Sequence, residues 1–178
     1  MQQVLNLYNS YIPVDCMVFN VFLSHNGGNP RDASISDIIK NIFRSIPETN
    51  VFVAEENIIA GNLSDGLIAQ IRQCDLFIVL YSNYSHISQS VQAEIGSART
   101  ANKTIIPLLL DREYTPPIML QGITYYPIYD NDSWNTHIPR LYEYIKSQAL
   151  LKSRNEGLAL MALGASLLLL AVAISNDS

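Results

Sequence analysis

Cysteine and positive charge are scarce in this chain, and each scarcity removes a class of function. Two cysteines, Cys16 and Cys74, in 178 residues form no C-x-x-C or other metal spacing, and both read as buried free thiols of a reducing compartment. Eleven Lys and Arg against sixteen Asp and Glu leave a net charge of −5. With no dense basic cluster, nucleic acid is not expected as a partner. No G-x-G-x-x-G follows the first apolar run and no phosphate-loop lysine occurs, so dinucleotide dehydrogenases and NTPases lose their main signature. A receiver domain would need a phosphate-accepting aspartate at the end of the third apolar run, where Tyr81 and Ser82 stand instead. Residues 1–16 have no basic n-region and no long apolar stretch, and Pro13 interrupts them, so they read as a short lead-in.

What is present is a folded domain: 48% of residues are hydrophobic and 15% charged. Residues 17–23, 51–54, 76–80, 104–110 and 124–129 are short apolar runs rich in β-branched and aromatic residues, the pattern of buried parallel strands. Pro107 places the fourth near an edge or a bulge. Between the runs lie amphipathic stretches. Ser34 offers an N-cap for a helix with Ile35, Ile38, Ile39, Ile42, Phe43 and Ile46 on one face, and Ser64 caps a second with Leu67, Ile68, Ile71 and Cys74 inward. A third begins at Gln89, and a last soluble helix runs from about residue 136 to 152, with Trp134 just ahead of it. Alternating strands and helices predict an α/β fold: a flavodoxin-like, doubly wound, five-stranded parallel sheet in the order 2-1-3-4-5.

Glu94 stands out against that frame. It lies three residues after Val91 and four before Ala98, inside the apolar stripe of its helix. A carboxylate there is either satisfied within the protein, by hydrogen bonds or by Arg99, or it is used on a ligand. In an open parallel sheet ligands bind where the strand order reverses, here between strands 1 and 3, beside the loops 24–32 and 82–90. The Glu94 helix starts from the second of these loops.

Four segments in this order and spacing resemble the Toll/interleukin-1 receptor (TIR) domain family, in its prokaryotic form. They are Phe22-Leu23-Ser24-His25 after the first strand, Asn57-Ile58-Ile59-Ala60-Gly61 after the second, Cys74 to Ser82 for the third, and Val91-Gln92-Ala93-Glu94-Ile95-Gly96 on the following helix. The resemblance covers residues 17–152. It implies one of two functions, cleavage of the nicotinamide–ribose bond of NAD+, often in immune or phage-defence signalling, or non-enzymatic TIR–TIR binding as an adaptor. As an NAD+ nucleosidase the chain would use Glu94 as the catalytic carboxylate, hydrogen-bonding the ribose hydroxyls and stabilising an oxocarbenium-like transition state. The resemblance implies NAD+ as substrate, with no cofactor and no metal. Phe22, Ser24, His25 and Asn26 would line the nicotinamide end, and Ser82, Tyr84 and Ser90 would contact ribose or phosphates. Asn57, Ile58, Ile59, Ala60 and Gly61 would form the self-association loop, with Ile58 and Ile59 either an apolar plug for a partner or tucked under their own sheet.

One position departs from the family pattern. Enzymatic members often carry a tryptophan four residues before the glutamate, where this chain has Ser90; a stacking surface worth on the order of 1 kcal/mol is missing. Finally, residues 158–174, LALMALGASLLLLAVAI, contain no charge. At ~1.5 Å per residue they reach roughly 26 Å. Residues 157–175 are therefore expected to be a C-terminal transmembrane helix, with 176–178 as a polar tail. Lys152 and Arg154 just before it would leave the TIR-like domain cytoplasmic, making a single-pass membrane protein with the lipid bilayer as a partner. A flavin- or nucleotide-binding flavodoxin-like protein is a third reading of the 24–29 loop.

Overall fold

Five apolar runs pair edge to edge in the computed structural model, which describes residues 18–54, 64–113 and 117–176, with side chains of the last helix to residue 155. The strands are β1 (Phe19–Ser24), β2 (Thr49–Val53), β3 (Leu76–Tyr81), β4 (Thr104–Leu109) and β5 (Tyr126–Pro127). All neighbours are parallel and the order is β2-β1-β3-β4-β5, as the alternation of strand and helix patterns predicts. β3, at the centre, is buried at all six positions, which is why its sequence is an unbroken apolar run. β5 is far shorter than the expected 124–129 strand. It pairs only with Leu108 and Leu109, so Pro107 lies on a stretch of β4 without an outer partner, where a missing N–H costs nothing.

The helices are α1 (Pro30–Arg44), α2 (Asp65–Gln73), α3 (Asn83–Ile87), α4 (Gln89–Thr100) and α5 (Asn131–Asn176). α1 begins earlier than Ser34 because Asn29 caps it, accepting from the N–H groups of Arg31 and Asp32, and Pro30 occupies the first turn, where its fixed φ suits a helix start. α3 is a short helix within what reads as a polar loop. α5 starts at Asn131 rather than near residue 136, since Asp130 and Ser133 cap one another: the Ser133 N–H donates to Asp130 Oδ1 at 2.8 Å and the Asp130 N–H donates to Ser133 Oγ at 3.2 Å.

The sheet separates two cores. On one face α1 and α5 bury Ile39, Phe43, Leu141 and Ile145 against Val21, Leu23, Ile78 and Leu80. Trp134, half-buried, packs on this side and closes the start of α5 onto the sheet. On the other face α2 and α4 bury Ile71, Val91, Ile95 and Ala98 against Phe22, Phe77, Val79 and Tyr81.

Two expectations need correction or fall outside this description. Among the described residues no helix is long and apolar enough to cross a membrane. The described turns of α5 instead carry Asp132, Arg140, Glu143, Lys146, Lys152 and Arg154, charges that a hydrocarbon core tolerates poorly. The transmembrane helix, the single-pass membrane location and the bilayer as partner are accordingly withdrawn. The side chains of residues 158–174 lie outside the described residues, as do residues 1–17, including Cys16, and the Asn57 to Gly61 loop.

Candidate functional site

At the carboxyl edge of the sheet, β1 ends in Ser24 and β3 ends in Tyr81, and the chain leaves them in opposite directions toward α1 and α3. Side chains alternate along a strand, so Phe22 and Ser24 share the face covered by α4. Phe22 is wholly buried, its ring stacked on Phe77 at 5.3 Å between centroids, and forms the floor under this corner rather than its lining. Ser24 is also fully buried, and above it α4 brings in Glu94.

The helical spacing that places Glu94 between Val91 and Ala98 turns its carboxyl inward, and the residue is 1% exposed. Burial pushes its pKa from 4.5 up to about 7; the nearby Ser24 hydroxyl pulls the other way but does not prevail. Among the described residues neither Ser24 Oγ nor Glu94 Oε2 has a partner of good hydrogen-bond geometry, although the Ser24 hydroxyl lies near enough to act on the Glu94 carboxyl. Buried polar atoms are almost always paired, so these two, brought near one another at the switch point, are an anomaly of the described fold. Arg99, the alternative partner read from the sequence, is engaged elsewhere: it donates to the carbonyls of Met119 and Gln121.

A second network joins the two switch-point loops. Asp32, in the first turn of α1, is fully buried and accepts from Ser82 Oγ at 2.5 Å and from Ser85 Oγ at 3.5 Å. Burial raises its pKa, an effect the Ser82 bond only partly offsets. The Ser82 hydroxyl in turn accepts from the N–H groups of Tyr84 and Ser85, capping α3. Closer to solvent, Asn26 Nδ2 donates to the Tyr84 carbonyl at 3.1 Å. Arg31 Nη1 meets Asp111 Oδ1 at 2.8 Å, and Asp111 Oδ2 accepts from the Asn83 N–H. Asp111 thus has its pKa lowered: the Asn83 and Arg31 contacts together outweigh a partial burial that acts in the opposite sense.

Of the residues singled out from the sequence, the fold joins Ser24 to Glu94 and Asn26 to Tyr84. Ser82 is fully buried and committed to Asp32 and to the α3 cap, so its hydroxyl is a structural link and not a free ligand contact. Tyr84 is 49% exposed. Ser90 is half-buried in the first turn of α4 with its hydroxyl 2.9 Å from that of Ser88, which caps the helix. His25 is half-buried and lies near enough to Asp37 to help lower that carboxyl's pKa, behind the larger effect of Lys40. His86, on α3, is exposed, with Nδ1 3.4 Å from the Tyr81 hydroxyl. Asp32 is legible only as the end of the 25–32 loop expected at the nicotinamide end; an acid in a first helical turn ordinarily signals only the helix dipole, and its partners Ser82 and Ser85 lie fifty residues or more away.

The sequence profile of the TIR domain family matches residues 21–142. The chain belongs to that family. No curated protein matches it. Among solved structures it is similar to the TIR domain of a Toll-related receptor from Hydra magnipapillata, at 20% identity over 71% of this chain and 97% of that one, with a TM-score of 0.54. A prokaryotic SEFIR domain matches at 13% identity, 71% and 91% coverage and a TM-score of 0.53. A CMP N-glycosidase from Clostridium botulinum matches at 22% identity, 70% and 98% coverage and a TM-score of 0.50. At these identities the likeness is one of fold.

Proposed function

We propose that this TIR domain is an NAD+ glycohydrolase that works on self-association, with Glu94 as its catalytic carboxylate. The observation carrying the reading is the buried Glu94 Oε2 near the Ser24 hydroxyl at the carboxyl end of β1, neither with a partner of good hydrogen-bond geometry among the described residues. Keeping a carboxyl there opposes folding unless it has a use. In the reaction, water attacks the ribose carbon bonded to nicotinamide. That C–N bond breaks, its electron pair returns to the pyridinium ring, nicotinamide leaves neutral, and the water proton is released. The developing ribosyl cation needs a fixed negative charge in a dry site, and an ionised Glu94 would supply it. The fold shared with a CMP N-glycosidase is compatible with N-glycosidic chemistry at this edge.

Two features shape the proposal. Glu94 is only 1% exposed, and a hollow of about 690 Å³ lies along β2 between α1 and α2 near Lys40, Arg44, Phe52 and Gln70. Substrate entry therefore requires the edge to open, a natural point for association to act. In addition, Ser90 stands where enzymatic members often carry a tryptophan, so that position offers no stacking surface. An adaptor acting only through TIR–TIR contacts is the second reading, and the closed recess favours it.

The test is NAD+ consumption by the full chain, clustered on a surface, beside Glu94→Ala. Turnover lost in the variant supports the enzyme; no turnover by the clustered wild type leaves the adaptor.

A further inference from the structure

Between Asp32 and α4, the helix that carries Glu94, runs a continuous series of hydrogen bonds. The Asp32 carboxylate takes the Ser82 hydroxyl at 2.5 Å, which fixes that hydroxyl's other lone pairs on the N–H groups of Tyr84 and Ser85, 3.2 and 3.1 Å away. Ser85, itself fully buried, donates to the Leu80 carbonyl at 2.9 Å, so the five-residue α3 is held against the end of β3. Gln92, on α4, donates to the Ser85 carbonyl at 3.2 Å and to the Tyr81 hydroxyl at 3.1 Å. Glu94 stands two residues further along that helix. α3 is too short to hold its own shape; its position depends on these side-chain ties. Most of the ties inside the loop are neutral, whereas the one that crosses to α1 ends on a carboxyl group buried at 0% exposure.

Burying an acid to make a loop tie is unfavourable when a neutral residue would serve. Among the described residues Asp32 Oδ1, moreover, has no hydrogen-bond partner, and Ser36 Oγ, one turn along the same helix face, has none either. Economy of folding does not explain an acid here. We propose that Asp32 is a positioning residue for the Glu94 site: through Ser82 it sets where α3 begins, and through α3 and Gln92 it holds α4 so that the Glu94 carboxyl stays in its closed recess. This rests on Glu94 being the functional carboxylate. Beside the outer Arg31–Asp111–Asn83 bridge, the buried Asp32–Ser82 bond is then the tie that governs access to Glu94, a coupling between the β1 and β3 loops that no single segment of the sequence displays.

The experiment follows the carboxyl carbon of Glu94 by NMR titration in the full chain, with hydrogen exchange measured in the same samples. In Asp32→Ala the tie is gone, water reaches the recess, and the Glu94 midpoint falls from about 7 by roughly one pH unit or more toward the ordinary value. Amides of Tyr84, Ser85 and the first turn of α4 exchange about tenfold faster while those of β1 and β2 are unchanged. Asp32→Asn keeps one carbonyl oxygen for Ser82 and removes the charge; its Glu94 midpoint stays near that of the wild type, which separates the tie from an electrostatic effect of Asp32. A Glu94 midpoint unmoved in Asp32→Ala, or moved equally in Asp32→Asn, overturns the proposal. If Asp32→Ala yields no folded protein, Ser82→Ala cuts the same bond from the other end and is judged by the same criteria. Both readouts are independent of turnover. Should the clustered wild type consume no NAD+ while the midpoint still moves, the glycohydrolase reading fails and the positioning role stands; turnover with an unmoved midpoint gives the reverse.

Discussion

The two edges of the sheet handle buried charge in opposite ways. At the amino edge, Asp75 Oδ2 accepts from the Asn20 N–H at 2.8 Å and from Lys152 Nζ at 2.8 Å, and Lys152 also donates to the Val18 carbonyl at 3.0 Å. Lys103 Nζ nearby donates to the Cys74 carbonyl at 2.7 Å. These groups lock α5, β1 and β3 together. At the carboxyl edge, Ser24 Oγ, Asp32 Oδ1 and Glu94 Oε2 are all buried and find no hydrogen-bond partner among the described residues. The first edge is built for stability, the second retains polar groups that oppose it, and proteins carry such a conflict where a ligand or a movement resolves it.

The sharpest way to break this contrast is to remove the charge that the carboxyl edge holds. Glu94→Gln should lower clustered turnover by a factor on the order of 1,000 and at the same time stabilise the protein at alkaline pH. The sign follows from the shift. Below pH 4.5 the carboxyl is protonated whether the chain is folded or not. Between 4.5 and about 7 the folded protein holds a proton that the unfolded chain has lost, so stability declines as pH rises through this window. A gap of that size corresponds to about 3 kcal/mol above pH 7. Urea unfolding of both proteins at pH 4 and pH 8 checks it: the wild type should lose stability relative to Glu94→Gln by about that amount. Catalysis runs the other way, because the ionised form is the useful one. The kcat/KM of the wild type should rise with pH to a plateau above about 7, and the kcat midpoint should lie lower, since a bound nicotinamide cation favours the carboxylate. A wild type no less stable than the variant at pH 8 would mean that the carboxyl edge is as well satisfied as the amino edge.

The opposite edge should respond in the opposite manner. Lys152→Met removes the partner of Asp75 and the donor to Val18 at side chains 22% and 27% exposed. Such a pair lies between surface and buried cases, and its loss should lower stability by about 1–2 kcal/mol with turnover and the Glu94 titration unaltered. A fall in kcat larger than the fall in folded population would show that the edges are coupled through the sheet. At the same edge Cys74 is buried, with a pKa raised to about 11 by burial. Its thiol should stay unmodified by iodoacetamide in the native protein and react only on unfolding.

How far the sequence reveals these edges depends on how local each feature is. The sheet order is legible because apolar runs such as 76–80 and the helical spacing of Ile39, Phe43 and Ile46 are local and periodic. Glu94 is legible for the same reason, since an acid within the Val91–Ala98 stripe is an anomaly visible over eight residues. The start of α1 is ambiguous in sequence because Ser34 also looks like a cap, whereas Asn29, followed by Pro30 in the first turn, is the one that caps it. α3 was unreadable because five polar-rich residues carry no period; Ser82 and Asp32 create it from across the fold. Whether Ser82 contacts ligand or caps a helix is decided by a residue fifty positions away, which spacing alone does not show.

A smaller change tests how tightly α4 must be held at the carboxyl edge. Gly96 lies in the middle of α4, two residues past Glu94, and a Cβ there would meet only Met119 Sδ at 3.8 Å, an ordinary contact. With a helical backbone and room for a methyl group, Gly96→Ala should stabilise the protein by about 0.5–1 kcal/mol, because alanine loses less backbone freedom on folding than glycine does. At the amino edge such a gain would be functionally silent. Here the glycine lies in the helix that carries the buried acid, and under the proposed function substrate reaches that acid only if this helix gives way. Turnover by clustered Gly96→Ala should therefore fall by a few-fold while its melting temperature rises, the trade-off expected where activity requires local opening. Thermal melts and initial rates on one preparation decide it. A variant both more stable and equally active would place the opening elsewhere, in the loops tied by Asp32 and Ser82 rather than in α4 itself.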